Sequence, residues 1–427
     1  MRILVLGSGA REHAIIRALI REEAGHEVFA APGNAGIAAD VPTLNLDAND
    51  PTAVTNYAVA ENIGLVIIGP EAPLVAGVSD ALREHGIAVF GPSQAAAQLE
   101  GSKAFAKRIM DEAGVPTGRA ARATTINELE AALDEFGAPY VVKADGLAAG
   151  KGVIVTSERA AAVAHGAQYL SVGSVLIEEF LSGPEVSLFF VSDGDTVAAL
   201  SPAQDFKRLL NGDAGPNTGG MGAYSPLPWL DARFGSEAAF VDAVRRTVAI
   251  PVISQMDAEG TPFVGLLYCG LILTDSGITV IEFNARFGDP ETEAVLPRLE
   301  SPLSRLLFAA ATGALETEPT PVFSTDAAVT VVLASAGYPA APITGRTLEG
   351  VESALSVPGV HVDHAATALN ENGELLATGG RVLNVVARGA DLNEARERAY
   401  QALDGIRLEG GQYRRDIAQR AAEGELL

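Results

Sequence analysis

At 427 residues with 48% hydrophobic side chains, the chain has material for roughly three domains with real cores. Its net charge of -24 excludes a general nucleic-acid binder or a protein docked on anionic membranes, since both need clustered Lys and Arg, so any anionic substrate must be met by local cations. The single cysteine, Cys269, excludes an internal disulfide; it lies in the apolar run G-L-L-Y-C-G-L-I-L, where it is expected to pack rather than react, in a cytoplasmic setting.

The N-terminal M-R-I-L-V-L-G meets Gly7 at once and is expected to be a first strand rather than a signal peptide, and no run approaches membrane-span length. Residues 1 to 92 then alternate strand and helix, with helices expected from Ala10 to Ile20 and near Val75 to Glu84, a pattern that predicts a parallel α/β sheet. Ligands of such sheets sit at the carboxyl ends of the strands. Those ends are Gly7-Ser8-Gly9, Pro32-Gly33-Asn34-Ala35-Gly36 and Gly69-Pro70-Glu71, which makes Gly9, Asn34 and Glu71 candidate substrate contacts. A nicotinamide fingerprint fails, because G-x-G-x-x-G needs Gly where Glu12 stands and no acid follows the second strand.

Ser93 to Gly114 is expected to be helical, with Lys103 and Lys107 one turn apart, followed by a helix from about Asn127 to Glu135 and a strand at Tyr140 to Lys143. Next comes A-D-G-L-A-A-G-K-G. Its spacing and the strand that follows are wrong for a Walker A loop and right for a Gly-rich hairpin folding over phosphates, with Gly150, Lys151 and Gly152 in the hairpin and Lys143 beneath it. All five lysines (103, 107, 143, 151 and 207) fall in this middle region, where compact point charges suit phosphates. A strand is expected over Val175 to Leu181; Glu178 and Glu179 must face opposite sides of it, and Glu185, past the turn, can reach a ribose.

Residues 204 to 226 lack periodicity and mix anchors (Phe206, Met221, Tyr224) with turn formers, which predicts an ordered active-site loop. Asp213, Asn217, Thr218, Gly219, Gly220 and Met221 are its candidate substrate contacts, with backbone amides at 217 to 220 available for an anion. A helix near Ala238 to Gln255 leads to a β-hairpin ending in V-I-E-F-N-A-R-F-G-D-P-E at 280 to 291. Alternation puts Ile281, Phe283, Ala285 and Phe287 on one face and Glu282, Asn284 and Arg286 on the other, with successive polar residues about 7 Å apart. Glu282 and Asn284 offer oxygen ligands for Mg²⁺, Arg286 offers a fork for phosphate, and Asp289 is a further candidate for substrate contact. After a helix near Leu303 to Ala311, a Pro- and Thr-rich linker (316 to 326) precedes a small α+β domain with a helix at Leu392 to Gly405. His361 and His364 lie close together but lack a third ligand for a metal site.

Four of these stretches, K-A-D-G-L-A-A-G-K-G (143 to 152), E-E-F-L (178 to 181), G-P-N-T-G-G-M-G-A-Y-S-P (215 to 226) and E-F-N-A-R-F-G-D-P-E (282 to 291), resemble the phosphoribosylamine–glycine ligase family of the ATP-grasp superfamily. The resemblance runs end to end, through G-S-G-A-R-E-H (7 to 13), P-G-N-A-G (32 to 36), G-P-E-A-P-L (69 to 74), E-G-S-K (100 to 103) and G-G-R-V-L (379 to 383). It implies a multidomain α/β and α+β fold: an N-terminal parallel, Rossmann-like α/β domain (1 to 101), an ATP-grasp core of antiparallel sheets with a Gly-rich hairpin lid (102 to 190 and 191 to 325), and a C-terminal α+β domain (326 to 427). It also implies a monomeric cytoplasmic enzyme, without nucleic-acid or membrane partners, that joins glycine to 5-phosphoribosylamine. ATP is consumed through a glycyl phosphate, and glycinamide ribonucleotide, ADP and phosphate are released.

By the same resemblance Lys103, Lys143, Gly150, Lys151 and Gly152 touch ATP phosphates, the backbone from Glu178 through Glu179 to Leu181 holds adenine, and Glu185 holds the ribose. Glu282 and Asn284 bind Mg²⁺ or Mn²⁺, and Arg286 and Lys143 act on the moving phosphoryl group. Two departures stand out: Phe206 replaces an expected His, and Glu293 an expected Gln. Another ATP-grasp carboxylate–amine ligase or carboxylase, with a different acid and nucleophile, is the alternative.

Overall fold

The computed structural model describes residues 1–146 and 152–425. Strands β1 (Arg2–Gly7), β2 (Glu27–Pro32), β3 (Leu65–Ile68) and β4 (Val89–Phe90) form a parallel sheet in the order β2-β1-β3-β4. Ile3, Leu4, Val5 and Leu6 are all fully buried, which is why β1 is apolar without alternation: helices cover both faces. The helix expected near Val75 to Glu84 is two pieces, Glu71–Val75 and Val78–Glu84, separated at Gly77 with φ 83°. The helix expected over Ser93 to Gly114 is likewise broken, into Gln98–Gly101 and Lys103–Glu112. Ser102 is extended between them, and its hydroxyl accepts from the Phe105 N–H, so a new helix starts at Lys103.

A second sheet holds β5 (Ala120–Ala123), β6 (Tyr140–Ala144), β7 (Val153–Thr156) and β8 (Val175–Glu178) in the antiparallel order β5-β8-β6-β7. The strand expected to reach Leu181 thus ends at Glu178. Helix Ile126–Phe136, closed by the Thr125–Glu128 capping box, packs with helix Arg159–Leu170 over this sheet. The second helix carries no clear apolar stripe, because its buried residues are Ala162 and Gly166. A Cβ on Gly166 would fall 2.5 Å from Leu129, so the pair depends on glycine to approach.

The next antiparallel sheet contains β9 (Glu185–Asp193) and β10 (Val197–Ala199). The stretch after it, expected to be aperiodic, contains four short strands: β11 (Gln204–Asp205), β12 (Arg208–Leu210), β13 (Ala214–Asn217) and β14 (Gly222–Ser225). The expected helix at 238 to 255 is Glu237–Val244, a π-helical turn Arg245–Ala249, and Ile250–Ala258. The hairpin β15 (Val264–Thr274) and β16 (Gly277–Asn284) then completes the sheet in the order β10-β9-β15-β16, with Cys269 wholly buried in it.

The third large sheet has the order β11-β14-β17-β22-β19, where β17 is Ala327–Ala334. Short strands β18 (Leu348–Glu349), β20 (Thr367–Leu369) and β21 (Leu375–Ala377) make ribbons beside it, while β19 is Val360–His364 and β22 is Arg381–Gly389. Helix Leu392–Asp404 covers β22 and β17. The loop strands β11 and β14 therefore belong to the same sheet as the C-terminal strands. No described helix is long and apolar enough to cross a membrane. His364 packs its ring 5.7 Å from that of His13, and among the described residues no three His, Cys, Asp or Glu side chains are placed to hold a metal.

Candidate active site

The sheets converge on a cavity of about 2100 Å³. Four of the five lysines, Lys103, Lys107, Lys143 and Lys207, reach it, and Gly152 borders it; Gly150 and Lys151 lie outside the described residues. The break at Ser102 puts Lys103 on the first turn of its helix, where Nζ donates to the Gly146 carbonyl at 3.2 Å. Lys143 projects from β6 with Nζ 2.9 Å from Glu178 Oε2, and Lys107 Nζ is 3.4 Å from the same oxygen. Lys107 also donates to Thr117 Oγ1 and the Gly118 carbonyl, and burial lowers its pKa. The Glu178 carboxylate is thus a buried counter-ion to two lysines. Glu179 pairs with Arg119 at 2.9 Å, and Glu179, Leu181 and Glu185 border the cavity. Glu185 accepts an ion pair from Lys207 at 2.7 Å, beside Asp205, whose carboxyl burial pushes up to about 7 against the opposing charge of Lys207.

On β16, Glu282 pairs with Gly270 and Val280 with Leu271, which leaves Ile281 as an extra residue in a bulge. Bulges re-aim side chains. Ile281, expected on the buried face, instead lines the cavity together with Glu282, Asn284 and Arg286. Burial by itself would raise the Glu282 carboxyl, but Lys207, Lys143, Lys103 and Arg286 together hold it below the usual range. It is therefore an ionised oxygen donor beside the Asn284 amide. Those are the hard ligands a divalent cation takes when it also binds phosphate oxygens. Arg286 Nη2 lies 2.9 Å from Glu100 Oε1 and Nε 3.7 Å from Glu71 Oε2, while Glu100 also accepts the Ala285 N–H at 2.7 Å. Two acids of the N-terminal region thus fix the guanidinium.

At the other end, the Glu12 side chain folds back under Gly7, Gly9 and Gly69, and Oε2 accepts the Gly9 N–H at 2.6 Å. It fills the crevice a dinucleotide pyrophosphate would need. Gly9, Glu71, Asp213, Asn217, Thr218, Gly219 and Asp289 line the cavity. Other expected contacts are held by bonds within the protein. Asn34 is a brace: Oδ1 accepts from Gly36 and Ile37, and Nδ2 donates to the carbonyls of Ser8, His364 and Ala365. Met221 is fully buried, with its N–H on the Phe206 carbonyl, and Gly220 sits tight against Pro290. The amides of Thr218, Gly219 and Gly220 donate to Lys207 O, Tyr338 Oη and Thr218 Oγ1, so they are not free for an anion. Asp213 pairs with Arg414 at 2.7 Å, and the Phe206 ring supports the same guanidinium at 4.8 Å.

The residues that sequence reasoning left without a role are Glu100, Tyr338, Arg381 and Arg414. Glu100 and Arg381 do lie in the E-G-S-K and G-G-R-V-L stretches, but neither periodicity nor spacing marks them; they act by reaching a distant segment.

The antiparallel sheet of β5 to β8, facing a second antiparallel sheet across a lysine-lined cleft floored by Glu282 and Asn284, defines an ATP-grasp enzyme. Family models described as phosphoribosylglycinamide synthetase match in three parts: the N domain over residues 1–100, the ATP-grasp (A) domain over 101–292 and the C domain over 328–420. The chain belongs to the phosphoribosylamine–glycine ligase family. It is 68% identical over 423 residues to the phosphoribosylamine–glycine ligase of Leifsonia xyli subsp. xyli, covering 99% of this chain and 100% of that one. It is 55% identical to that of Streptomyces coelicolor, again over 99% and 100% of the two chains. The crystal structure of phosphoribosylamine–glycine ligase from Thermotoga maritima superposes with a TM-score of 0.80 at 34% identity, covering 98% of this chain and 100% of that one. The biotin carboxylase domain of Hydrogenobacter thermophilus 2-oxoglutarate carboxylase shares the fold, with a TM-score of 0.68 at 17% identity over 96% and 91% of the chains.

Proposed function

We propose that this cavity joins glycine to 5-phosphoribosylamine, in purine biosynthesis, with ATP cleaved to ADP and phosphate. A glycine carboxylate oxygen attacks the γ-phosphorus and the bond to the β-phosphate oxygen breaks, giving glycyl phosphate and ADP. The acceptor amine then attacks the acyl carbon, phosphate leaves, and the amine gives up a proton. The observation that carries this reading is Glu282, held ionised among Lys207, Lys143, Lys103 and Arg286 on the cavity floor. Positioning and charge supply most of the catalysis in phosphoryl transfer.

In this reading Lys103, Lys143 and Gly152, with Gly150 and Lys151 close to them in sequence, meet the ATP phosphates. The backbone at 178 to 181 borders adenine, and Glu185 receives the ribose. Glu282 and Asn284 hold Mg²⁺ or Mn²⁺, which when bound neutralises charge on the phosphates. Arg286 steadies the transferring group from its seat between Glu100 and Glu71. The working units are 1 to 101 for the acceptor, 102 to 190 with 191 to 325 for ATP and metal, and 326 to 427 as a cover, in a cytoplasmic monomer.

ADP release in a coupled assay tests this: it should require glycine and phosphoribosylamine together. Release driven by bicarbonate without glycine would replace the ligase by a carboxylase.

A further inference from the structure

The reaction proposed above brings a second phosphate into the cavity, the 5-phosphate of the acceptor, and it needs a seat away from the triphosphate. Lys103 and Lys143 stand at the hairpin end. The segment 282 to 291 runs from there toward β22, where Asp289 meets Arg381: Nη1 lies 3.1 Å from Asp289 Oδ1 and donates to the carbonyls of Asp289 (2.9 Å) and Gly219 (2.6 Å). Two other arginines of the cavity wall near this segment are engaged more fully. Arg286 has Nη2 on Glu100 and Nη1 on the Phe287 carbonyl, with Nε 3.7 Å from Glu71, and Arg414 has all three nitrogens on Asp416 and Asp213.

Arg381 differs from these two, because a single nitrogen carries every bond it makes among the described residues. Nε and Nη2, the edge that presents two parallel N–H donors, have no partner there, and the side chain is 21% exposed on the cavity wall. The surroundings keep that guanidinium clear. A Cβ on Gly219 would stand 3.3 Å from Arg381 Cζ and 3.3 Å from Tyr338 Oη, so the bare glycine leaves room beside the charge. On the far side of Asp289, its Oδ2 comes within 3.9 Å of a Cβ built on Gly9, at the N-terminus of helix Ala10–Arg21. Asp289 therefore lies between the fork and the N-terminal wall of the cavity while occupying only one corner of the guanidinium.

We infer that Arg381, reaching in from the C-terminal domain, recognises the acceptor's 5-phosphate on its Nε–Nη2 edge and so sets the preference for a phosphorylated acceptor. This rests on the ligase reading. Two charge-assisted bonds are lost in Arg381→Ala, so the KM for phosphoribosylamine should rise about 30-fold or more, with the KM values for ATP and glycine nearly unchanged. Arg381→Lys keeps a cation for Asp289 and Gly219 but has no fork, and should show the same selective rise.

Ribosylamine, which lacks the phosphate, separates recognition from bracing. Wild type should use it poorly, and kcat/KM for it should be the same in Arg381→Ala. Glycine-dependent positional isotope exchange in ATP, which needs no acceptor, should persist in both variants. An unchanged KM for phosphoribosylamine, or an equal fall in kcat/KM for both acceptors, would overturn the inference and leave Arg381 as a brace. Wild-type protein inert with glycine and phosphoribosylamine would instead remove the ligase reading itself.

Discussion

Glu282 shows how one residue can be both buried and charged. Desolvation opposes its ionisation, and the four cations that outweigh desolvation come from separate parts of the chain: Lys103, Lys143, Lys207 and Arg286. The carboxylate stays available for a metal only while they surround it. Glu282→Ala should cut metal-dependent turnover by roughly 10²–10³-fold or more. Its far-ultraviolet circular dichroism should match that of wild type, since β16 keeps its ladder to β15. Turnover close to wild type would remove Glu282 from the metal site. The polar trio Glu282, Asn284 and Arg286 was legible from strand alternation. The position of Ile281 was not, because a bulge depends on pairing with β15 and leaves no trace in the alternation of β16 itself.

Among elements, those that carry their own signals were readable. Helix Ile126–Phe136 was expected from about Asn127 to Glu135, and the hairpin of β15 and β16 shows as two apolar runs around Asp275-Ser276-Gly277. Helix Arg159–Leu170 lacked a stripe because small residues let it sit close to Leu129. Ser102 was hidden for another reason: serine is tolerated inside a helix, and what makes it a cap here is tertiary. Its hydroxyl accepts from Phe105 and donates to Asp145 Oδ1 at 3.1 Å, and Asp145 directly follows β6. This fixes where the helix of Lys103 begins relative to Lys143. Ser102→Ala should cost about 1 kcal/mol in chemical denaturation, the ordinary worth of a cap. It should also raise the KM for ATP several-fold while leaving that for glycine in place. An unchanged KM for ATP would show that Lys103 keeps its position without the cap.

At the scale of the whole molecule, the third sheet joins the loop strands β11 and β14 to β17, β22 and β19, so the C-terminal region is built into the cavity wall. One joint of that assembly is titratable. Asn384 Nδ2 on β22 donates to Glu293 Oε1 at 3.0 Å, whereas Glu293 Oε2 and Asn384 Oδ1 have no partner, and both residues are fully buried. A protonated Glu293 carries a hydrogen on Oε2 and can complete a two-bond acid–amide pair, which is the pattern the family's expected glutamine would make. Burial, and then the charges of Asp289 and Asp363, push the Glu293 carboxyl far above its usual range, against only partial opposition from Arg381. Asp363 in turn faces Arg17 and His361.

The folded state thus holds a proton that the unfolded chain releases near pH 4.3, so this joint stabilises fully below that pH and progressively less as pH rises toward the raised folded value. Across that window the folding equilibrium shifts by roughly tenfold per pH unit. Glu293→Gln keeps the bonding pattern without the proton, so its melting temperature should exceed that of wild type at pH 8, by a margin that shrinks steadily toward pH 5. Two melting curves that stay parallel from pH 5 to 8 would mean that Glu293 is ionised in the folded protein, and that Asn384 holds a carboxylate.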